Sequence, residues 1–156
     1  MIEVDIPGRG VLQLHHLVSD VNGTLALDGE LLPGVVEGLR ALGAQVQIHL
    51  LTADTFGRQA AIDQALGLSA VRIPPGKESE AKAAYVEALG AHRVVALGQG
   101  ANDAGMLKTA GLGLCVLSPE GTAGEAAQAA DVLAPDITAA LGLLQNPRRL
   151  VATLRR

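Results

Sequence analysis

The sequence predicts a three-layer, Rossmann-like α/β fold in which a central parallel sheet is covered on both faces by helices. Three observations support this. From Gly34 onward, segments with helical spacing alternate with short apolar runs. Two of those runs, and an earlier one, end on polar or glycine-rich segments, at Thr52, Gly98 and Asp20 respectively, as strands do when they carry side chains to the carboxyl edge of a sheet. Apolar residues make up 49% of the 156 positions and charged residues 18%, an ordinary globular balance. We expect one domain over residues 1–156, with an N-terminal β-hairpin, a small flap and no cap domain.

The elements follow in order. Ile2, Val4 and Ile6 alternate with polar neighbours, Gly8-Arg9-Gly10 offers a turn, and the apolar signal from Val11 to Val18 predicts a hairpin feeding a buried strand that closes at Asp20. Thr24 to Leu32 holds Asp28-Gly29 between short apolar runs, the signal of a two-residue hairpin, here a flap. Val35, Val36, Leu39 and Leu42 have helical spacing, and Val46 to Leu51 suits a strand closing at Thr52. Ile62, Ala65 and Leu66 predict another helix, and Val71 with Ile73 a short strand.

Ala81, Ala84, Tyr85, Ala88 and Leu89 form a regular helical stripe, which predicts the buried face of a third helix. Val94 to Leu97 reads as a buried strand stopped by Gly98-Gln99-Gly100, with a helix over about 101–110 and a strand over 112–117. Thr122 and Glu125 have capping-box spacing for a helix to Ala130. Asp136 and Asn146 are predicted N-caps of the last two helices, with Pro147 at a first helical position.

Composition excludes several functions. The net charge is −4, and the Arg148, Arg149, Arg155, Arg156 cluster is too short to make a phosphate-neutralising surface. Phe56 and Tyr85 are the only aromatic residues, so bases have almost nothing to stack on, and no nucleic-acid partner is expected. Cys115 stands alone, which rules out a disulfide framework. The first residues lack the basic start and apolar core of a leader, and no run approaches the roughly 18 apolar residues of a membrane span. A cytoplasmic protein without a membrane partner is expected.

Reactive residue types gather at the predicted strand ends: Asp20 with Asn22, Thr52 with Asp54, and Gln99 with Asn102 and Asp103, while Lys82 starts a helix. Phosphoryl transfer needs an in-line nucleophile, a cation and further donors to spread charge, and these residues supply each part. The segment Asp20-Val21-Asn22-Gly23-Thr24-Leu25 resembles the D-x-D/T-G-T-L signature of the haloacid-dehalogenase-like superfamily of phosphatases and P-type ATPases. Leu51-Thr52-Ala53-Asp54 is similar to that superfamily's second motif in its T-G-D form, and Gly98 to Asp103 to G-D-G-x-N-D. The short form with its opening hairpin most resembles the capless, soluble P-type ATPase-like phosphatases.

The resemblance implies that Asp20 attacks phosphorus and forms an aspartyl phosphate, and that Thr52 holds a phosphate oxygen. It implies that a lysine pairs with both; spacing to the helical Leu89 favours Lys82, with Lys77 as the substitute. Gly23, Ala53 and Asn102 fall at substrate-binding positions. Mg²⁺ is implied as cofactor, held by Asp20, the carbonyl of Asn22, Gln99 and Asp103, an oxygen-rich site that keeps several waters.

The chain departs from the pattern twice. Asn22 stands where the phosphatases carry an acid that protonates the leaving group, and general acid–base help is worth ~10²–10⁴-fold, so hydrolysis is expected to be slow. Gln99 replaces the usual metal-binding Asp, which should weaken the metal site. P-type ATPases also lack the acid, which implies a persistent phosphoenzyme and leaving groups that need no proton, such as a nucleotide diphosphate, an acyl phosphate or an aryl phosphate.

Only about thirty residues separate Asp20 from Thr52 and Thr52 from Lys82, too few for a cap. The site is therefore expected to be open, either to a bulky phosphorylated substrate or to a second copy of the chain in a homo-oligomer. An alternative is a catalytically degenerate phosphate- or nucleotide-binding or regulatory module of the same fold. A receiver domain fits poorly, because Ser19-Asp20 offers no acidic pair. Thr52, Asp54, Asn102 and Asp103 also suit plain helix caps, and the four histidines lack metal-ligand spacing.

Overall fold

The computed structural model of the chain describes residues 1–54 and 57–156, so Phe56 lies outside the described residues. Strands β1 (Ile2–Ile6) and β2 (Gly10–Leu14) pair antiparallel, with Ile2 opposite Leu14. Alternation along β1 buries Ile2, Val4 and Ile6 and leaves Glu3 and Asp5 in solvent. After β3 (His16–Asp20), β4 (Ala26–Leu27) and β5 (Glu30–Leu31) form the flap. Its tip residues Asp28 and Gly29 have φ of 52° and 81°, the two positive values that a type I′ turn requires.

Strand–helix alternation then gives α1 (Val35–Gly43), β6 (Gln47–Thr52), α2 (Gln59–Leu66), β7 (Val71–Arg72), α3 (Glu78–Ala88) and β8 (Val94–Gly98). A short 3₁₀ turn (Ala101–Asp103) runs into α4 (Ala104–Thr109). Then follow β9 (Leu112–Val116), α5 (Gly124–Ala129), β10 (Val132–Ala134), α6 (Ile137–Gln145) and α7 (Arg148–Leu154).

Six strands form one parallel sheet in the order β10-β9-β8-β3-β6-β7. β3 is flanked by β6 and β8, and Asp20 lies level with Leu51. Fully apolar strands such as Leu17-Val18 and Val94 to Leu97 suit a sheet buried on both sides. One face packs Leu17, Leu97 and Leu114 against α1, α6 and α7; the other packs Val18, Ala96 and Cys115 against α3, α4 and α5. Each fully buried Leu, Val or Ile contributes roughly 1.5–3 kcal/mol. Contact on the second face is close: a Cβ on Gly113 would lie 2.3 Å from the Leu107 carbonyl oxygen, so only glycine lets α4 settle on β9.

Four expectations are corrected. Of the α3 stripe, Ala81, Tyr85 and Leu89 pack partly buried against the core while Ala84 and Ala88 face solvent, and the fully buried residues are Lys82 and Val86; a periodicity argument that counts lysine as polar leaves the face rotated. Thr122 makes no capping box. Its hydroxyl donates to the Val116 carbonyl (2.9 Å) and accepts from the Ser118 amide (3.0 Å), leaving Ala123 as the residue before α5. Asn146 ends α6, its side chain donating to the Gly142 carbonyl, and does not cap α7. The edge strand β10 was not anticipated, being three residues in an alanine-rich stretch. Asp136 does cap α6, accepting from the Ala139 amide at 2.7 Å.

The histidines divide as strand residues. His16 Nδ1 and His49 Nε2 are 3.1 Å apart, and His49 Nδ1 is 2.9 Å from the Tyr85 hydroxyl, a polar chain from the sheet to α3. Burial pushes the Cys115 thiol up to about 11, so it remains a packed, inert group.

Candidate functional site

Parallel β3, β6 and β8 all point their carboxyl ends the same way, which brings Asp20, Thr52 and the Gly98–Asp103 segment together although they lie far apart in sequence. Opposite them, α3 inserts Lys82. Its Nζ donates to Asp20 Oδ1 and to Asp103 Oδ1, both at 2.7 Å, and its side chain is only 1% exposed. Lys77 is exposed and lies just before α3, so Lys82 is the lysine in contact with Asp20.

Each carboxylate is further braced. Asp20 Oδ2 accepts from the Thr24 hydroxyl at 3.0 Å. Asp103 Oδ2 accepts from the backbone amides of Gln99 (3.0 Å) and Gly100 (2.9 Å). Gly98 permits this turn, since a Cβ there would lie 2.6 Å from Asp103. Both oxygens of each carboxylate are engaged; Asp103 is fully buried, whereas Asp20 retains 6% exposure.

Electrostatics set Asp20 apart. Burial first, and the neighbouring Asp103 second, raise its carboxyl from 3.8 to about 7, against the opposing pull of Lys82 and Thr24. Burial works to lower the Lys82 ammonium, but the two carboxylates outweigh it and hold the group above its ordinary value. Two carboxylates share one cation, so the cluster carries one negative charge in excess when fully ionised. A hard divalent cation beside Asp20 would neutralise that excess, and the ligands the sequence implies for it, the Asp20 carboxylate, the Asn22 carbonyl and the Gln99 amide oxygen, are the oxygen type such a cation takes. Among the described residues no three His, Cys, Asp or Glu side chains form a metal cage, so such a cation would keep much of its water.

Thr52 is buried, and its hydroxyl oxygen accepts from the Asp54 amide (2.9 Å) and, more weakly, from Asn22 Nδ2 (3.4 Å). Both contacts deliver hydrogens to Oγ1, so the hydroxyl's own hydrogen is left free to donate. Asp54 has the left-handed φ of 53° and caps the start of α2 by accepting from the Gln59 amide at 3.1 Å, so its role in the structure is local.

The remaining predicted residues are arranged less directly. Gly23, with φ of 80°, spends its amide on the Ala26 carbonyl, so it offers clearance and no donor. Ala53 and Asn102 are exposed at the rim. Gln99 donates to the Gly121 carbonyl at 3.2 Å and covers Gly23: a Cβ there would lie 2.3 Å from its Nε2. Two residues were missed as site residues. Thr24, inside the first motif, donates its hydroxyl to Asp20 Oδ2. Glu120 places Oε2 3.1 Å from the same Gly23 Cβ position, and no sequence pattern marks this loop residue.

No family model matches the chain. A search of curated proteins finds an uncharacterised protein of Methanocaldococcus jannaschii, 43% identical over 63 residues, which are 40% of this chain and 68% of that one. Among solved structures, the chain superposes on a 3-deoxy-D-manno-octulosonate 8-phosphate phosphatase from Moraxella catarrhalis, solved with magnesium and phosphate, with TM-score 0.65 and 18% identity over 92% of this chain and 95% of that one. The phosphatase of that name from Yersinia pestis gives TM-score 0.66 and 15% identity, covering 96% and 94%. A zinc-transporting PIB-type ATPase gives TM-score 0.64 and 28% identity over 78% of this chain but 20% of the pump. No helix among the described residues is long and apolar enough to cross a membrane. The chain thus has the fold of these haloacid-dehalogenase-like phosphatases, with its three motifs at one edge of the sheet, and it belongs to one family with the archaeal protein.

Proposed function

We propose that the chain is a phosphohydrolase in which Asp20 accepts a phosphoryl group from a phosphate ester or anhydride and then releases it to water. The observation that carries this reading is the Lys82 bridge, a buried ammonium 2.7 Å from both Asp20 and Asp103 at the open end of a parallel sheet. One Asp20 carboxylate oxygen attacks phosphorus in line with the leaving oxygen. Lys82 orients that carboxylate and neutralises oxygen charge, the free Thr52 hydroxyl hydrogen donates to a phosphate oxygen, and Asp103 fixes Lys82. Mg²⁺, held by Asp20, the Asn22 carbonyl and Gln99, with Asp103 behind them, would supply charge neutralisation at the phosphate oxygens.

Asn22 cannot give or take a proton at the leaving oxygen, which favours slow breakdown of the aspartyl phosphate. That substitution, together with Gln99, also favours a second reading, a module that binds phosphate or becomes phosphorylated without turning over. A lone reduced cysteine fits a cytoplasmic setting. Leu133, 54% exposed on the edge strand β10, fits assembly of several copies into a homo-oligomer.

The test is a panel of phosphate donors with Mg²⁺, run beside Asp20→Asn, with acid-quenched protein checked for hydroxylamine-labile phosphate. Phosphate release and a labile phosphoprotein that both vanish in the variant support the hydrolase. A phosphoprotein that forms without release selects the degenerate module, and the absence of both defeats the hydrolase.

A further inference from the structure

A cavity beside the nucleophile's loop bears on the organic part of the substrate. It measures about 260 Å³, and its walls are the apolar side chains of Leu32, Pro33, Leu117, Pro119 and Ile137. Its floor is Gly23 and Thr24, and the Thr24 hydroxyl is bonded to Asp20 Oδ2, so the cavity begins one residue contact from the reacting carboxylate. Both walls are held before any ligand arrives. Leu32 donates its amide to the Leu25 carbonyl (2.9 Å), and the 117–122 loop is closed by Ser118–Thr122 and Thr122–Val116 bonds and tied to Gln99 through the Gly121 carbonyl. Leu117 remains 51% exposed at the rim, an apolar surface beside a polar site.

The charge around this cavity discriminates among leaving groups that need no proton. Glu120 reaches to 3.1 Å from the Cβ position of Gly23, and Asp136 lines the cavity. These two acids oppose a polyanion such as a nucleotide diphosphate, and a short acyl phosphate such as acetyl phosphate has too little apolar surface to use the walls. An aryl phosphate satisfies both conditions, because an aryloxide leaves as a stable anion without the acid that Asn22 cannot supply, and its ring fits an apolar cavity.

Resting on the reading of Asp20 as phosphoryl acceptor, we propose that this cavity binds the aromatic group of an aryl phosphate monoester. The Asp20 carboxylate forms an O–P bond as the P–O(aryl) bond breaks, and the aryloxide departs with the electron pair. Water then attacks phosphorus, the Asp20 O–P bond breaks, and the water's proton leaves with the phosphate.

The test compares aryl phosphates of matched leaving-group acidity but increasing ring size with acetyl phosphate and ATP, in wild type, Leu117→Asp and Leu32→Ser. The expected result is kcat/KM rising with ring size, a loss of about tenfold on the aryl series in each variant, and unchanged acetyl phosphate turnover. Phenylphosphonate, which is not hydrolysed, should also shift the Ile137 methyl resonances. Asp20-dependent turnover of acetyl phosphate or ATP with no aryl preference and no Ile137 shift overturns the aryl assignment alone. No Asp20-dependent reaction with any donor removes the phosphoryl-transfer reading beneath it.

Discussion

Replacing Asp20 with Asn abolishes the proposed nucleophile and, by the electrostatics of the site, should strengthen the fold. In the folded protein the Asp20 carboxyl holds its proton up to about 7, whereas the unfolded chain releases it near the ordinary value of 3.8. Between those values the folded state binds more protons, so stability falls as pH rises, and above 7 the whole penalty is present. The span from 3.8 to about 7 corresponds to about 4 kcal/mol against the ionised form. Asparagine avoids that cost without loss of shape: its Oδ1 still accepts from Lys82, and its amide faces the Thr24 hydroxyl, which can turn to accept. At 2–4 °C per kcal/mol for a chain of this size, Asp20→Asn should melt on the order of 10 °C higher at pH 8 in chelator, with little difference at pH 4. Thermal melts across that pH range check this. A variant no more stable at pH 8, or one stabilised equally at pH 4, refutes the account of a carboxylate strained by burial and by Asp103.

Other substitutions probe separate parts of the site. Lys82→Met leaves two buried carboxylates facing each other and should cost about 3–5 kcal/mol at pH 8, less at pH 5 where Asp20 regains its proton; urea unfolding measures both, and a pH-independent loss contradicts the bridge. Asn22→Asp should speed Mg²⁺-dependent turnover of an alkyl phosphate by about 10²-fold while changing an aryl phosphate little, and equal effects on both would show that leaving-group protonation is not limiting. Gly113→Ala drives a methyl into the Leu107 carbonyl and should cost about 1–3 kcal/mol in chemical denaturation, whereas an unperturbed midpoint would mean that α4 can lift off β9.

Strand ends were legible because each reactive residue follows an apolar run: Asp20 after Leu17-Val18, Thr52 after Leu50-Leu51, Gln99 after Val94 to Leu97. Spacing and type sufficed, since a parallel sheet converts three such ends into one site. The features that misled were those in which a polar group behaves against its type. Lys82 is the largest fully buried side chain among the described residues, so the apolar stripe of α3, which places Ala81, Tyr85 and Leu89 on the core, missed the centre of the buried face. Thr122 had the spacing for a helix cap, yet its hydroxyl closes a loop, a choice fixed by the Val116 carbonyl overhead. β10 is three residues long and takes its identity from pairing with β9, a partner local pattern does not reveal. Glu120 reaches the site across a turn whose path depends on Gln99 holding Gly121.

The central position of β3 ties chemistry to the completeness of folding. Its neighbours enter the chain on either side in time, β6 after α1 and β8 only after α3, so the pairing that seats Asp20 spans His16 to Gly98 and depends on slow, non-local closures. A chain arrested halfway holds the Asp20 carboxylate with no Lys82 ammonium beside it. With Asp20 as the proposed phosphoryl acceptor, a pulse of donor during refolding would time the docking of α3 and β8 beside β3.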